Sequence, residues 1–517
     1  MRVVILDGYT DEPAGLGVPP YIDVYARYIA GAVWAADPRA TVYYYTIDEA
    51  RRNLPGFIKR AVESDFLIVI AGVVVPGRYL GGRPLTLEEL LRLPRIITGP
   101  RKVLVGPAAR FGFWESGKRV VSAREIAGLY DVVVRGDAEL VVYEIMRRGV
   151  ESVNPFRVRR NYELTSKFAV LGARIVLQHP NHGLNLIAEI ETFRGCARWV
   201  SGGCSFCIEP RYGRVQMRPV ESIVDEVRAL YALGVRGFRL GRQSDILVYG
   251  SREVNYKEFP SPNPEALNEL FMRIRGAAPS VRVLHVDNAN PMTIALHAEA
   301  AEMALRAILR WHTPGDVLAF GVESVDPVVI RENNLGVEPE AVLEAVRIAN
   351  RVGSKRGWNG FPELLPGLNF VLGLPGETRD TLRRNKEFLE RILREKLLVR
   401  RVNIREVAVL EGTRLSSIKK WSSPARRNYR GFKLWVRRSF DTVMMRRLFP
   451  KGLVLRRLYV EGYSEDGRLY ARPPASYPVT VFLEEKAPLW SVVDVEVTGY
   501  GARSLRGRLY RASRGYK

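Results

Sequence analysis

The only three cysteines of this 517-residue chain, Cys196, Cys204 and Cys207, fall within twelve residues of one another. Scattered core cysteines rarely land so close together. An odd number of them, in a chain that opens without an apolar stretch of signal-peptide length, argues for metal binding rather than disulfides. Three thiolates from one loop can hold three corners of a 4Fe–4S cube and leave one iron open to a ligand. The competing chemistry is a structural zinc ion, which needs a closed set of four ligands. The histidines are His179, His182, His285, His297 and His312, and only the first two lie near the cysteines in sequence.

The elements that must position this loop read as repeated β/α units. Ile187 to Thr192 is the strand that delivers the cysteines, and Glu221 to Leu233 is an amphipathic helix closed by Gly234. Further strands are expected at Gly237–Gly241, Val281–Val286, Val317–Ser324, Leu368–Thr378 and Val402–Leu410, with a helix from about Arg379. Six such units make an open partial barrel with ligands at the carboxyl ends of its strands. The polar residues at those ends are therefore the candidate site.

The loop follows a strand, spaces its cysteines C-x7-C-x2-C and carries the aromatic Phe206 just before the last one. It resembles the cluster loop of the radical S-adenosylmethionine (SAM) superfamily, whose commonest first spacing is shorter. Gly321-Val322-Glu323-Ser324 is similar to the family's fourth-strand segment that contacts the SAM ribose and methionyl groups. Gly373-Leu374-Pro375-Gly376-Glu377-Thr378 resembles its fifth-strand segment, whose backbone packs near the adenine. Gln243, Ser244 and Asp245 stand where members bind the methionyl amino group, although the usual Gly-Gly-Glu-like motif is not spelled out. The resemblance implies Cys196, Cys204 and Cys207 as cluster ligands, and Phe206, Gln243, Glu323, Ser324, Gly373 and Pro375 as SAM-binding residues. It also implies reductive cleavage of SAM, a 5′-deoxyadenosyl radical that takes hydrogen from a substrate, and an electron donor such as ferredoxin or flavodoxin.

Residues 1–165 read as a separate Rossmann-like, doubly wound domain, with buried strands at Val3–Asp7, Phe66–Val75, Val103–Gly106 and Val132–Gly136. Gly15 to Pro20 forms the loop after its first strand, an ordinary βα loop or a phosphate contact. Asp131 to Glu139 resembles the end of the cobalamin-binding-type domain that precedes some radical SAM barrels. The domain contains no histidine, so the usual lower axial ligand to cobalt is missing and cobalamin is only a possible cofactor. Methylthiotransferases of the superfamily use a second cluster held by three N-terminal cysteines. This chain has none, which disfavours sulfur insertion of that kind.

The remaining segments carry the charge. The chain has 79 Lys and Arg against 56 Asp and Glu, a formal net charge of +23. Residues 401–517 hold 25 basic and 10 acidic residues, so +15 of the excess sits there. Such asymmetry suggests a polyanionic partner, or a solvated basic surface of the kind a thermophile favours. Residues 416–450 form a basic helical connector in which Arg426, Arg427, Arg430, Arg437 and Arg438 are the candidate RNA contacts, with Trp421, Tyr429, Phe432, Trp435 and Phe440 interleaved. Residues 451–517 switch to a period-two β pattern similar to the TRAM module, a small OB-like RNA-binding barrel.

The expected architecture is thus α/β. A doubly wound domain over 1–165 precedes a partial (β/α)6 radical SAM barrel over 183–415, the connector over 416–450 and a TRAM-like β domain over 451–517. Hydrophobic residues at 47% and charged residues at 26% exclude a disordered, collagen-like or disulfide-scaffold chain. The longest apolar run is far too short to span a bilayer, so the expected location is the cytoplasm with no membrane partner. The leading functional expectation is a radical SAM enzyme acting on RNA, most simply tRNA. The alternatives are a radical SAM enzyme, cobalamin-assisted or not, that methylates or rearranges a protein or small molecule, and a zinc-stabilised RNA-binding protein without catalysis.

Overall fold

The computed structural model describes residues 1–12, 15–72, 81–114, 121–418 and 421–511. The chain divides into two compact units. The first comprises Met1–Ser244, Met272–Val281 and Ala408–Lys419; the second comprises Asp245–Phe271, Arg282–Val407 and Lys420–Lys517.

The first unit opens with β1 (Arg2–Asp7), β2 (Thr41–Thr46), β3 (Phe66–Ile70), β4 (Arg101–Val105) and β5 (Val132–Val133). They form one parallel sheet in the order β2-β1-β3-β4-β5, the flavodoxin-like version of the doubly wound arrangement. The inner strands are continuous apolar runs because helices cover both faces. Three of those helices start with a capping box: Thr46 with Glu49, Thr86 with Glu89 and Ser122 with Glu125. The edge strand β2 adds to the four expected strands. Its sequence, Thr-Val-Tyr-Tyr-Tyr-Thr, alternates buried with half-exposed residues. The expected strand at Phe66–Val75 stops at Ile70, and Val73–Val75 lie outside the described residues. The Gly15–Pro20 loop leads into Tyr21–Ile22, which pairs with the next sheet, and its Val18 and Pro19 are buried as in an ordinary connection.

Within the same unit, β6 (Ile187–Ile190) lies parallel to β7 (Gly237–Leu240) on one side and to Tyr21–Ile22 on the other. The helices Val24–Ala36 and Glu163–Gly172 cross through paired glycines: a Cβ on Gly31 would sit 1.9 Å from the Phe168 carbonyl oxygen, and one on Gly172 would sit 1.7 Å from that of Arg27. Below β6, Glu226 accepts hydrogen bonds from both Arg27 and Arg218, and all three side chains are fully buried.

The second unit carries the remaining strands of the β/α series. These are β8 (Val283–Val286), β9 (Asp316–Glu323), β10 (Leu364–Leu372) and β11 (Arg401–Glu406). β9, β10 and β11 are parallel neighbours, and Asn288–Ala289 adds to the β9 edge. All six expected barrel strands are therefore present, with the fifth beginning earlier than expected, at Leu364. The unit ends in β12 (Val454–Tyr463), β13 (Leu469–Arg472), β14 (Thr480–Leu483), β15 (Val492–Tyr500) and β16 (Ser504–Leu509). These close a barrel in the order β12-β13-β14-β16-β15, with β14 and β16 parallel and every other pair antiparallel. This is the five-stranded OB-type topology. Val460, Ala471, Val481, Val495 and Leu505 fill its interior.

Asp7, at the carboxyl end of β1, is buried and accepts from the Tyr44 hydroxyl at 2.8 Å and the Tyr9 amide at 2.9 Å. Burial, the largest cause, raises its pKa to about 7. The folded chain thus holds this proton more tightly than the unfolded chain. The stability it contributes is complete below about pH 4 and is lost as pH rises to about 7. In thermal melts across that range, Asp7→Asn should flatten the fall in melting temperature; identical slopes in the two proteins would contradict this.

Candidate active site

The strand that delivers the cysteines buries charge along its length. Glu189, on β6, meets Arg239 in register on β7, with N–O distances of 2.6 and 2.7 Å. One turn on, Phe193–Arg194 pairs antiparallel with Gln216–Met217, and this two-residue ladder closes the base of the cysteine loop. The spacer between Cys196 and Cys204 is taken up by a 3-10 turn over Ala197–Ser201, after which Gly202 and Gly203 both adopt positive φ. Gly203 cannot be replaced without a collision, since a Cβ there would lie 2.2 Å from Cγ of Pro210. Cys204 and Cys207 are then drawn together by a turn in which the Cys207 amide donates to the Cys204 carbonyl at 3.2 Å. The long first spacing is thereby absorbed as one helical turn.

The three cysteines form no disulfide with one another and are half-buried. Burial pushes the Cys196 thiol up to about 12, with a further contribution from the nearby Cys204. Burial likewise holds Cys207 well above the usual thiol range, followed by the charges of Cys204, Glu209 and Cys196. Each sulfur thus feels the others, which is the arrangement a cationic iron centre relieves by favouring thiolates. Arg198 Nη1 lies 3.0 Å from Cys204 Sγ and places a positive charge beside it. Among the described residues, no three His, Cys, Asp or Glu side chains lie close enough to hold a single metal ion. The two nearest histidines also have other partners: His182 Nε2 meets the Leu233 carbonyl at 2.7 Å, and His179 Nδ1 accepts from the Asn181 amide at 3.1 Å. A zinc site with a histidine as fourth ligand is not built here. Three thiols on one loop suit a cluster with an open corner.

Of the expected SAM residues in this unit, Phe206 is half-buried and Gln243 is fully buried. The Gln243 amide accepts from Thr192 Oγ1 at 3.3 Å and donates to the Leu240 carbonyl at 2.5 Å. Ser244 donates to the Gly195 carbonyl at 3.0 Å and so steadies the residue before Cys196.

In the second unit, the ends of β9 and β10 are unusual in backbone and charge. Glu323 takes a positive φ of 58° beside a register shift between Gly321 and Glu323. Such strain in a non-glycine residue is costly and clusters at ligand sites. Burial raises the Glu323 carboxyl to about 8, with Arg405 opposing. Ser324 is buried, and its hydroxyl accepts from the Asp326 amide at 3.2 Å. Gly321, Asn369 and Asn403 stand in register across β9, β10 and β11. Asn369 Oδ1 and Asn403 Nδ2 are buried with no hydrogen-bond partner, an acceptor and a donor left open. Neither asparagine was picked out in the sequence, because a lone Asn in an apolar run carries no local signal.

The segment after β10 is tied to the basic connector. Glu377 accepts from the Gly373 amide at 2.9 Å and from the hydroxyls of Ser423 and Tyr429. The Gly373 carbonyl accepts from the Trp421 indole at 2.8 Å, and the Pro375 carbonyl from Asn333 Nδ2 at 2.9 Å. Tyr429 to Leu448 is a helix whose middle turn, Val436–Asp441, is a π-turn. Tyr429, Phe432 and Phe440 are buried by it, whereas Arg426, Arg427, Arg430, Arg437 and Arg438 are all exposed. Lys419 and Lys420 lie outside the described residues. On the terminal barrel, Tyr470, Phe482 and Arg506 form one outward row across β13, β14 and β16. The Arg468 guanidinium lies 3.9 Å over the Phe482 ring. Gly499, next in the row, leaves the Arg506 side chain room to lie across the strand.

Glu377→Ala should free three donors at once and cost about 1–3 kcal/mol, the usual penalty of stranding buried polar groups. Faster proteolysis within residues 421–450 and a lower melting temperature would report it. A variant as stable and as resistant as the parent would show that the connector is held by its apolar face alone.

Residues 190–389 match the radical SAM superfamily. The chain is 42% identical over 515 residues, 99% of its length, to an uncharacterized protein of Methanocaldococcus jannaschii, of which it covers 93%. It is 40% identical over 98% of its length to one of Archaeoglobus fulgidus, covering 89% of that protein. A shorter similarity, 27% over 206 residues and 39% of either chain, links it to the ribosomal protein uS12 methylthiotransferase RimO of Geobacter sulfurreducens. Among solved structures, the cobalamin-dependent SAM radical enzyme OxsB with aqua-cobalamin bound aligns at a TM-score of 0.48 and 11% identity, over 80% of this chain and 54% of that one.

Proposed function

Because the chain belongs to the radical SAM superfamily, we propose that it is a radical SAM enzyme that modifies RNA. In this reading Cys196, Cys204 and Cys207 hold a 4Fe–4S cluster and leave its fourth iron to SAM. A cluster held there would supply the one-electron chemistry for reductive cleavage of SAM, with a ferredoxin- or flavodoxin-type protein as the donor. The chain's own residues hold and shield. Arg198 offsets charge at Cys204, and Gly203 lets the loop turn back against Pro210. By their resemblance to the family's motifs, Phe206, Gln243, Glu323, Ser324, Gly373 and Pro375 contact SAM. Cobalamin is no part of the proposal: residues 1–165 offer no histidine, and Phe111, Trp114, Ile208 and Leu410 pack together as an apolar cluster beside the loop. RimO's name points to methylthiolation, but a chain with only three cysteines lacks the ligands for a second cluster of the familiar kind.

The observation that carries the RNA reading is the outward Tyr470–Phe482–Arg506 row on an OB-type barrel. Flat aromatic and guanidinium faces stack unpaired bases, and the same face of such barrels binds oligonucleotides. The exposed connector arginines add phosphate contacts in the same unit. The barrel's topology also supports the TRAM-like assignment of residues 451–517.

Two experiments separate the halves of this proposal. Anaerobic reconstitution should load about four irons per chain and yield 5′-deoxyadenosine with dithionite and SAM. Cys204→Ala should lose both; retention of full iron would remove these cysteines as ligands. For RNA, Phe482→Ala should weaken binding of a single-stranded oligonucleotide about tenfold, and Arg437→Gln with Arg438→Gln should lower the salt slope by about 1.4. Unchanged affinity in both variants would leave the enzyme reading intact and reject RNA.

A further inference from the structure

A pocket with a cavity of about 30 Å³ opens in the first unit beside the cysteine loop. It adjoins Gly106, just past the end of β4, and Glu191, just past the end of β6, so the carboxyl ends of two parallel sheets converge on it. Ligands of open α/β sheets bind at such ends. The room suits two or three water-sized groups, the scale of an oxyanion head rather than a whole nucleotide.

Its walls carry a surplus of positive charge. Four guanidiniums face three carboxylates: Arg110, Arg159, Arg194 and Arg242 against Asp137, Glu139 and Glu191. Arg159 pairs with Glu191 at 2.5 Å and Glu139 at 3.6 Å, and Arg194 pairs with Asp137. Burial, followed by the charge of Asp137, raises the pKa of Glu139, and burial lowers that of Arg242 to about 9, which still leaves it charged at neutral pH. Arg110 makes no salt bridge among the described residues; its guanidinium lies 4.5 Å over the Tyr212 ring. The Arg194 guanidinium lies 5.1 Å from the same ring, so two cations meet Tyr212. Arg159 Nε is buried without a hydrogen-bond partner. The 11-residue helix Ala138–Arg148 starts at the pocket, its Asp137 N-cap makes no side-chain capping bond, and Ala138 and Glu139 of its first turn are lining residues. A helix N-terminus beside surplus arginines favours an anion.

We propose that this pocket binds the oxyanion head group, carboxylate or phosphate, of the enzyme's substrate. Arg110 and Arg242 grip it at the start of the Ala138–Arg148 helix. Arg194 stands two residues before Cys196 and Tyr212 five residues after Cys207, so a head group held here fixes the rest of the substrate beside the cysteine loop. The inference rests on the enzyme reading and is independent of RNA, because the oxyanion can belong to a nucleotide or to a small acid.

The test is calorimetric titration of the reconstituted full-length protein, in chloride buffer, with sodium phosphate, sodium acetate, and a tetraribonucleotide with and without a 5′-phosphate. Saturable binding of phosphate or acetate is expected, at least tenfold weaker in Arg110→Gln and in Arg242→Gln and partly restored in Arg110→Lys. Circular-dichroism melts confirm that each variant is folded. Arg110 is only half-buried, so its variants remain informative if Arg242→Gln does not fold. Preference for phosphate and the 5′-phosphorylated oligonucleotide identifies a nucleotide source, and preference for acetate a small carboxylic acid. No saturable binding of either ion, or binding untouched in folded Arg110→Gln, overturns the inference. Loss of oligonucleotide binding only in Phe482→Ala, with phosphate binding intact, instead keeps the pocket and the RNA reading apart.

Discussion

A single buried carboxylate holds the site's framework in register. Glu226, from the helix Val220–Ala232, accepts from Arg27 of the helix Val24–Ala36 and from Arg218 just ahead of its own helix. Two cations share one anion among fully buried side chains, and both also reach main-chain oxygens. Arg27 also donates to the Glu189 carbonyl, and Arg218 Nη1 approaches the Glu191 carbonyl at 3.4 Å. Those carbonyls belong to β6 and its continuation, the stretch that leads into the cysteine loop. An apolar cluster could fill the same space with equal or better stability, but it would not aim at two particular carbonyls. Here, the ionic arrangement fixes direction as well as contact.

The same logic recurs upward along the strand. Glu189 meets Arg239, Glu191 meets Arg159, and Arg194 meets Asp137, each pair joining different elements of the first unit. A buried charge is expensive alone and tolerable when paired, so a slip of one residue in any of these elements would strand several charges together. The glycines of the loop work on shorter range. Gly202 and Gly203 reverse the chain so that a long spacer still returns Cys204 and Cys207 to the neighbourhood of Cys196.

Much of this was legible in the sequence where local pattern and chemistry coincide. Three cysteines in one loop, six apolar strands in alternation with helices, and a terminal period-two pattern needed no long-range information. The order of the doubly wound strands did, and so did β2, whose tyrosines give it the look of a half-exposed segment. Buried charge was the least legible. Nothing local in the sequence marks Glu189, Glu226, Arg27 and Arg218 as buried, and they are so because their partners come from 8 to 199 residues away. Two of the pocket arginines carried no signal for that reason: Arg110 and Arg159 belong to no motif, and only folding sets them beside Arg194. Of the five aromatics interleaved in the connector, Tyr429, Phe432 and Phe440 are buried on its apolar face.

The π-turn at Val436–Asp441 has a consequence for how this connector can change. Phe432, Val436, Phe440, Met444 and Leu448 are buried at intervals of four residues, whereas an α-helix repeats every 3.6. A straight α-helix would carry that series progressively off the protein's face; one wide turn takes up the drift. Removing one residue there would restore ordinary hydrogen bonding to the middle of the helix. The downstream face would stay nearly where it is, because five residues at about 100° sweep about the same angle as the six of the wide turn, whereas tightening the turn with all its residues kept would swing Met444 and Leu448 by about 100° toward solvent. The exposed side of this segment is free to change its charge, but the width of the middle turn and the count of residues through it must change together, because the apolar seam from Phe432 to Leu448 fixes which face points inward.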